Sequence, residues 1–308
     1  MKPEVEELSD SRSGPLAFLA VALELTKPRL TLLVLISGAC GWLAARTPQV
    51  PLANLPWIDL LNLIIGLAFV GAASNIVNQA MEHRLDALME RTKDRPVPSG
   101  RISVMSTYIL GHVCLLIGMG WLLYFFPTPV AACTFLTYLT YIIAYTPLKT
   151  RSSLNTLVGA VPGALPILTG WLANWQRPES PMAGLSLFAI VFFWQLPHFF
   201  AIASIYKDDY RRAGYRMASL YDPSGKQAVV LIWISTLALC VISYAPFAAH
   251  LCGFGYLFGV SFLNAALIAV NISLTFDREK HMRTVFRASI VWLTLTMILI
   301  VTDLEKIP

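Results

Sequence analysis

The sequence predicts an all-α polytopic membrane protein of about nine transmembrane helices, and three observations predict it. Of its 308 residues, 56% are hydrophobic and only 13% charged, with a mean hydropathy of +0.62, which excludes an ordinary soluble domain. Apolar runs long enough to cross roughly 30 Å of hydrocarbon recur along the chain. The basic residues gather in alternate connections between those runs, as the positive-inside rule expects of a multi-pass protein.

Residues 1–14 read as a polar tail. Their acids Glu4, Glu6, Glu7 and Asp10 are unlike an Arg-rich, acid-poor organelle transit peptide, so a bacterial cell (inner) membrane is expected. Leu16–Leu25, interrupted by Glu24, is too short to span and reads as an interfacial helix. Spans follow at about 30–46, 57–80, 102–124, 129–146, 153–173, 183–205, 228–248, 251–275 and 286–302. The second and sixth are open to continuation into the loops that follow them. The chain thus divides into a tail with its short helix, residues 1–25, and one transmembrane domain, residues 26–308.

Lys2, Arg12, Lys27 and Arg29 precede the first span. Arg84, Arg91, Lys93, Arg95 and Arg101 follow the second, and Lys149 and Arg151 follow the fourth. Lys207, Arg211, Arg212, Arg216 and Lys226 follow the sixth; Arg278, Lys280, Arg283 and Arg287 follow the eighth. Only Arg46, Arg177 and Lys306 remain for the other side. The N-terminus is therefore expected in the cytoplasm and the C-terminus on the opposite side. Topology and attraction to anionic headgroups account for the net charge of +5 without any nucleic-acid partner. The five cysteines are scattered, lack metal-ligand spacing and read as small packing residues.

Chemistry concentrates after the second span. Asn78, Glu82 and Asp86 are spaced i, i+4, i+8, so each step on a helix turns about 40° and rises about 6 Å. One helix face then carries a ladder of oxygen ligands at the water interface. Such ladders suit Mg²⁺, which bridges one or two carboxylates to substrate phosphates. The sixth span ends in a second charged corner, Lys207-Asp208-Asp209-Tyr210-Arg211-Arg212. Adjacent acids on a helix point about 100° apart, so one faces the same cation as the ladder, while the other binds a second metal or pairs with Arg211 or Arg212.

His198, in Trp194-Gln-Leu-Pro-His-Phe-Phe200, sits among polar company within a span and reads either as cavity-lining or as a helix-packing hydrogen bonder. His112 and His250 lack such company and read as structural. Gly159, Gly163 and Gly170 with Pro162 and Pro166 mark close helix contact, a broken cavity-forming segment, or both.

Two blocks, Asn78-x3-Glu82-x3-Asp86 and Arg91-Thr-x-x-Arg95-Pro, resemble the first signature of the UbiA-type intramembrane prenyltransferases. Further stretches resemble the protohaem IX farnesyltransferase branch of that family. These are Thr26-Lys-Pro-Arg29, Tyr145-Thr-Pro-Leu-Lys149, Gly163-Ala-x-Pro166 with Gly170-Trp171, and Trp194-Gln-x-Pro-His198-Phe leading to Lys207-Asp-Asp-Tyr210-x-x-Ala-Gly214. The resemblance runs from about residue 26 to 220. Glu82 stands where Asp is commonest, and Arg216-Met-Ala-Ser219 replaces Pro-Met-Leu-Pro. The second signature lacks the Asp-x-x-x-Asp of aromatic-acceptor members, which favours the haem branch.

The resemblance implies a UbiA-type helical bundle that transfers farnesyl from farnesyl diphosphate, with addition of water, to a vinyl group of haem b. It implies Mg²⁺ held by Asn78, Glu82, Asp86, Asp208 and Asp209, and a diphosphate gripped by Arg91, Arg95, Lys149 and Lys207. Trp194, Tyr145, Tyr141 and Phe199 are candidates to shield the allylic cation. His198 is a candidate for haem iron, for a propionate or for steering water; Lys27 or Arg29 pairs with a propionate or anchors the membrane. It also leaves open work beside a downstream haem-modifying enzyme or a terminal oxidase assembly. Two alternatives stand beside this reading: a UbiA-type enzyme with an aromatic quinone-precursor or pigment acceptor, and a cation-binding transporter. A transporter calls for paired ionisable groups at the midplane, whereas these acids cluster at one face.

Overall fold

Prolines open the first two helices of the computed structural model, which describes residues 14–46, 50–175, 181–222 and 224–304. Pro15 begins α1 (Pro15–Leu25) and Pro28 begins α2 (Pro28–Ala44), the position where a missing N–H costs nothing. Between them Lys27 holds a left-handed backbone, φ 48°. A non-glycine residue in that region carries strain of order 1–2 kcal/mol, and such strain collects at functional sites. The polar tail 1–13, with Arg177 and Lys306, lies outside the described residues.

The 30 residues of α3 (Trp57–Asp86) reach about 45 Å, so the helix overshoots a bilayer core and carries its last turns beyond it. Then come α4 (Val104–Phe125), capped by Ser103, whose hydroxyl accepts from Ser106 N–H, and α5 (Thr128–Leu148). These are followed by α6 (Asn155–Ala173), α7 (Pro181–Ile205) and the short α8 (Lys207–Arg212). The chain closes with α9 (Lys226–Ala248), α10 (Phe254–Phe276) and α11 (Arg278–Thr302). Among the described residues eight helices are long and apolar enough to span, and α2 is a shorter apolar ninth.

The last helix begins earlier than its hydropathy indicates. The Asp277 carboxylate accepts from Lys280 N–H, an N-cap that lets Arg278, Lys280 and Arg283 form the first turns of α11 instead of a loop.

Helix α6 lies at the centre, packing on α2, α5 and α7, while α7 also meets α9 and α11. A Cβ at Gly41 would collide with the Ile167 carbonyl, and one at Gly170 with the carbonyl of Gly38. The α2 and α6 backbones therefore approach as only small residues permit. Pro162 and Pro166 do not break α6, which runs continuously from Asn155 to Ala173; the glycine pattern there serves close packing. Large apolar side chains such as Leu116, Val241, Phe258 and Phe262 face outward, as lipid contact requires.

Helix α5 changes register near its end. Thr140–Tyr145 form a π-helical segment, with Thr146 N–H bonded to the Tyr141 carbonyl. Pro147 explains it: the ring has no N–H and crowds the carbonyl four residues back, so the turn widens.

Candidate active site

The end of α3 carries the ladder. Asn78 is 1% exposed, Glu82 4% and Asp86 1%, so two carboxylates are withdrawn from water and must be compensated. The Asn78 amide donates to Glu82 Oε2 (2.9 Å) and to Thr146 Oγ (3.1 Å), and its carbonyl accepts from Lys27 Nζ (2.8 Å). Lys149, presented by the widened turn of α5, donates to Glu82 Oε2 at 2.9 Å and lies 2.8 Å from Oε1. Arg95 spans both oxygens of Asp86 at 2.9 and 2.8 Å. The Thr92 hydroxyl folds the following loop back by donating to the Asp86 carbonyl (2.8 Å).

Around these groups lies a cavity of about 150 Å³, walled also by Arg91, Tyr141, Tyr145, Tyr210, Tyr215 and Met217. Four cations (Lys27, Arg91, Arg95, Lys149) face two carboxylates, leaving the cavity net positive and suited to a polyanion. Aromatic faces flank the bases: Lys149 lies over Tyr145 (4.6 Å) and Tyr215 (5.7 Å), and Arg91 over Tyr206 (4.9 Å). Burial and the neighbouring Arg95 push Lys27 down to about 7. Burial alone would lower Lys149 too, but the contact with Glu82 holds it well above the ordinary lysine value. Burial raises the Tyr215 phenol.

The donor set fits a hard divalent cation. Among the described residues Glu82 Oε1 is buried with no hydrogen bond beyond its 2.8 Å ion pair with Lys149, and Asn78, Glu82 and Asp86 bring oxygen donors to the lining of the cavity. Among the described residues no cluster of three or more His, Cys, Asp or Glu gathers. Two carboxylates and an amide are what Mg²⁺ uses when substrate phosphates and water complete its shell.

Asp208 and Asp209 do not form the expected opposing wall. The Asp208 side chain is 72% exposed, 3.9 Å from Arg211. Asp209 pairs with Arg212 and accepts from Glu90 N–H (3.3 Å), holding the loop after α3 against α8. The reason is rotational: α8 turns Tyr210 toward the cavity, and the preceding two residues then point away. Lys207 lines a separate cleft, and Arg29 is exposed.

Trp194 and His198 also stand apart, in the seam between α7 and α11. The His198 ring stacks between Trp194 and Phe286, each 4.7 Å away, with Nδ1 2.8 Å from Ser289 Oγ. Ser289 Oγ donates to the Phe286 carbonyl (2.7 Å), so it accepts from Nδ1–H and Nε2 keeps its lone pair. Thr92, Thr146, Tyr215 and Ser289 were not evident from sequence; only Pro147, which forces the turn that presents Thr146 and Lys149, carried a local signal.

Residues 33–296 match the family model described as the UbiA prenyltransferase family. The chain belongs to the UbiA prenyltransferase family. Among UbiA relatives it is 38% identical over 284 residues to a protein named protoheme IX farnesyltransferase from Opitutus terrae, covering 91% of this chain and 93% of that one. A Myxococcus xanthus protein of the same name is 35% identical, with 88% and 90% covered. A structure of digeranylgeranylglyceryl phosphate synthase superposes with a TM-score of 0.75 at 15% identity over 92% of this chain and 98% of that one. A UbiA homolog from Archaeoglobus fulgidus bound to DMAPP and Mg²⁺ gives 0.61 at 15% identity, over 91% and 99%. These two establish the shared UbiA fold.

Proposed function

We propose that the protein transfers the farnesyl group of farnesyl diphosphate to a vinyl group of haem b, with addition of water, giving haem o and diphosphate. The similarity to the Opitutus terrae protoheme IX farnesyltransferase, over 91% of this chain and 93% of that one, supports the choice of reaction. The cation-rich cavity beside the ladder supports its first half.

In this reading Lys149, Arg91, Arg95 and Lys27 bind the diphosphate. Asn78, Glu82 and Asp86 would hold Mg²⁺, which supplies Lewis-acid stabilisation of the charge growing on the departing diphosphate. In the structure Lys149 and Arg95 neutralise the two carboxylates. Diphosphate oxygens would share these bases with the carboxylates, so positive charge already stands where the leaving group's charge grows. Ionisation of the allylic C–O bond leaves a farnesyl cation, shielded by the faces of Tyr141 and Tyr145. The haem vinyl attacks that cation to form a C–C bond. Water then adds to the cation left on the haem side and gives up a proton.

Asp208 and Asp209 act here through structure, with Asp209 fixing the loop that bears Arg91 and Arg95. His198, with its bare Nε2, serves the acceptor side, and Trp194 orients it. The clustering of basic residues beside the ladder supports a cytoplasmic location for it at the cell membrane. Purified protein given farnesyl diphosphate, Mg²⁺ and haem b should form haem o, detected by chromatography. Turnover of 4-hydroxybenzoate with none of haem would replace this reading by the aromatic-acceptor one.

A further inference from the structure

A second cleft of about 260 Å³ opens at the same end of the bundle, between α7, α8, α9 and α11. Its rim carries Lys207, Arg211, Arg278 and Arg283, against one acid among the described residues, Asp222. That acid is already engaged: its carboxylate accepts from Ser224 N–H and Oγ–H and from Gln227 N–H, capping α9. Arg211 has only a loose contact with Asp208, and Arg278 donates to the Ser224 carbonyl. Among the described residues neither Arg278 nor Arg283 has an ion-pair partner. Beneath this rim Ile205 and Met282 give an apolar floor, and Ser219 lines the wall. Ser219 is 3% exposed, and its buried hydroxyl has no hydrogen-bond partner among the described residues. A buried unpaired hydroxyl costs on the order of 1–3 kcal/mol, which a ligand oxygen would relieve.

The cleft shares a wall with the diphosphate cavity. Tyr210, Tyr215 and Met217 face the cavity; Lys207, Arg211, Ser219 and Leu220, from the same stretch of chain, face the cleft. Arg216 N–H bonds the Lys149 carbonyl (2.7 Å) and the Asn155 amide bonds the Arg216 carbonyl (2.7 Å), fixing that wall. His198 lies on the same helix seam, seven residues or about 10 Å deeper than Ile205.

We infer that this basic cleft, with Arg278 and Arg283 on its rim and Ser219 in its wall, binds the paired carboxylates of the porphyrin acceptor and so sets which edge of it meets the farnesyl cation. The inference rests on haem b being the acceptor. In haem b the two propionates lie across the macrocycle from the two vinyl groups. A reacting vinyl must lie beside the diphosphate cavity, so the carboxylates need an anion site displaced from it by a molecule's width. The basic cleft is a separate anion site at the same end of the bundle, with an apolar floor and a wall in common with the cavity. Arginine suits this task, since its fork matches a carboxylate.

The test compares haem b with its dimethyl ester, which carries no propionate charge. Protein in neutral phosphatidylcholine nanodiscs is titrated spectrophotometrically with each, and haem o formation is followed in parallel. Wild type should bind the ester at least about tenfold more weakly than haem b. Arg283→Gln and Arg278→Gln should each weaken haem b binding by about tenfold, leave ester binding unchanged, and leave KM for farnesyl diphosphate and kcat at saturating haem unmoved. Should either fail to fold, the nearly isosteric Ser219→Ala should weaken haem b by roughly threefold with the same selectivity. Equal loss for haem b and ester, or no loss for either, overturns the inference while haem o still forms. Loss that appears only when phosphatidylglycerol is added identifies a lipid headgroup site and also overturns it. Absence of any haem binding overturns both the inference and the reading of the acceptor.

Discussion

Lys149 and Glu82 form a pair whose removal separates folding from catalysis. The Lys149 side chain is 13% exposed and that of Glu82 5%, with Nζ and Oε1 2.8 Å apart. At an effective dielectric near 20, two unit charges at that distance attract by about 6 kcal/mol. Desolvation offsets much of this, so breaking a buried pair by removing one partner costs about 3–5 kcal/mol, because the other charge stays buried alone. Lys149→Met and Glu82→Gln should therefore each destabilise by about 3 kcal/mol. The double variant should lose less than the sum, with a coupling of about 2–3 kcal/mol. Unfolding in detergent micelles, monitored by circular dichroism, measures this. Transfer behaves differently: all three variants should lose at least about 100-fold in haem o formation, since each lacks part of the electrostatic cradle. Additive stability losses within about 0.5 kcal/mol would refute the pairing, and near-normal transfer by the double variant would refute its place in the site.

Asp86→Asn frees Arg95 from its bidentate partner and should abolish transfer while the protein remains inserted, as membrane extraction and proteolysis would report. For Lys27, lowered from 10.5 to about 7, the folded state sheds its proton first, so stability rises with pH between about 7 and 10.5. Farnesyl diphosphate binding should weaken as pH rises through about 7, and Lys27→Arg should flatten that profile. Gly41→Val drives a side chain into the Ile167 carbonyl and should cost at least about 3 kcal/mol or prevent assembly, read as loss of monodisperse protein. His198→Ala should lose haem use while farnesyl diphosphate binding, measured with a labelled analogue, is largely kept.

The ladder was legible because four-residue spacing survives any helix, and a 30-residue α3 needs no tertiary information to carry it past the bilayer. Lys27, Lys149, Arg91 and Arg95 were legible as motif residues, and the structure brings all four to one cavity. The orientation of Asp208 and Asp209 was not. It depends on how a six-residue helix, broken from α7 at Tyr206, is rotated by the packing of Tyr210 and Tyr215, and adjacent acids give no phase from which to read it. The π-helical turn escaped because hydropathy has no signal for an i+5 register, although Pro147 marks its cause. The His198–Ser289 contact joins residues 91 positions apart, which no local pattern reports. The start of α11 was hidden by its charges, which resemble a loop until Asp277 caps them.

The proposed reaction joins an allylic cation to a haem vinyl and closes with addition of water. Incubating the purified protein with haem b, farnesyl diphosphate and Mg²⁺ in ¹⁸O-labelled water, then weighing the extracted haem by mass spectrometry, tests it most directly. The expected product is a haem heavier by one farnesyl group and one ¹⁸O-hydroxyl, absent from Asp86→Asn. Recovery of unchanged haem b from protein shown to bind farnesyl diphosphate would contradict it.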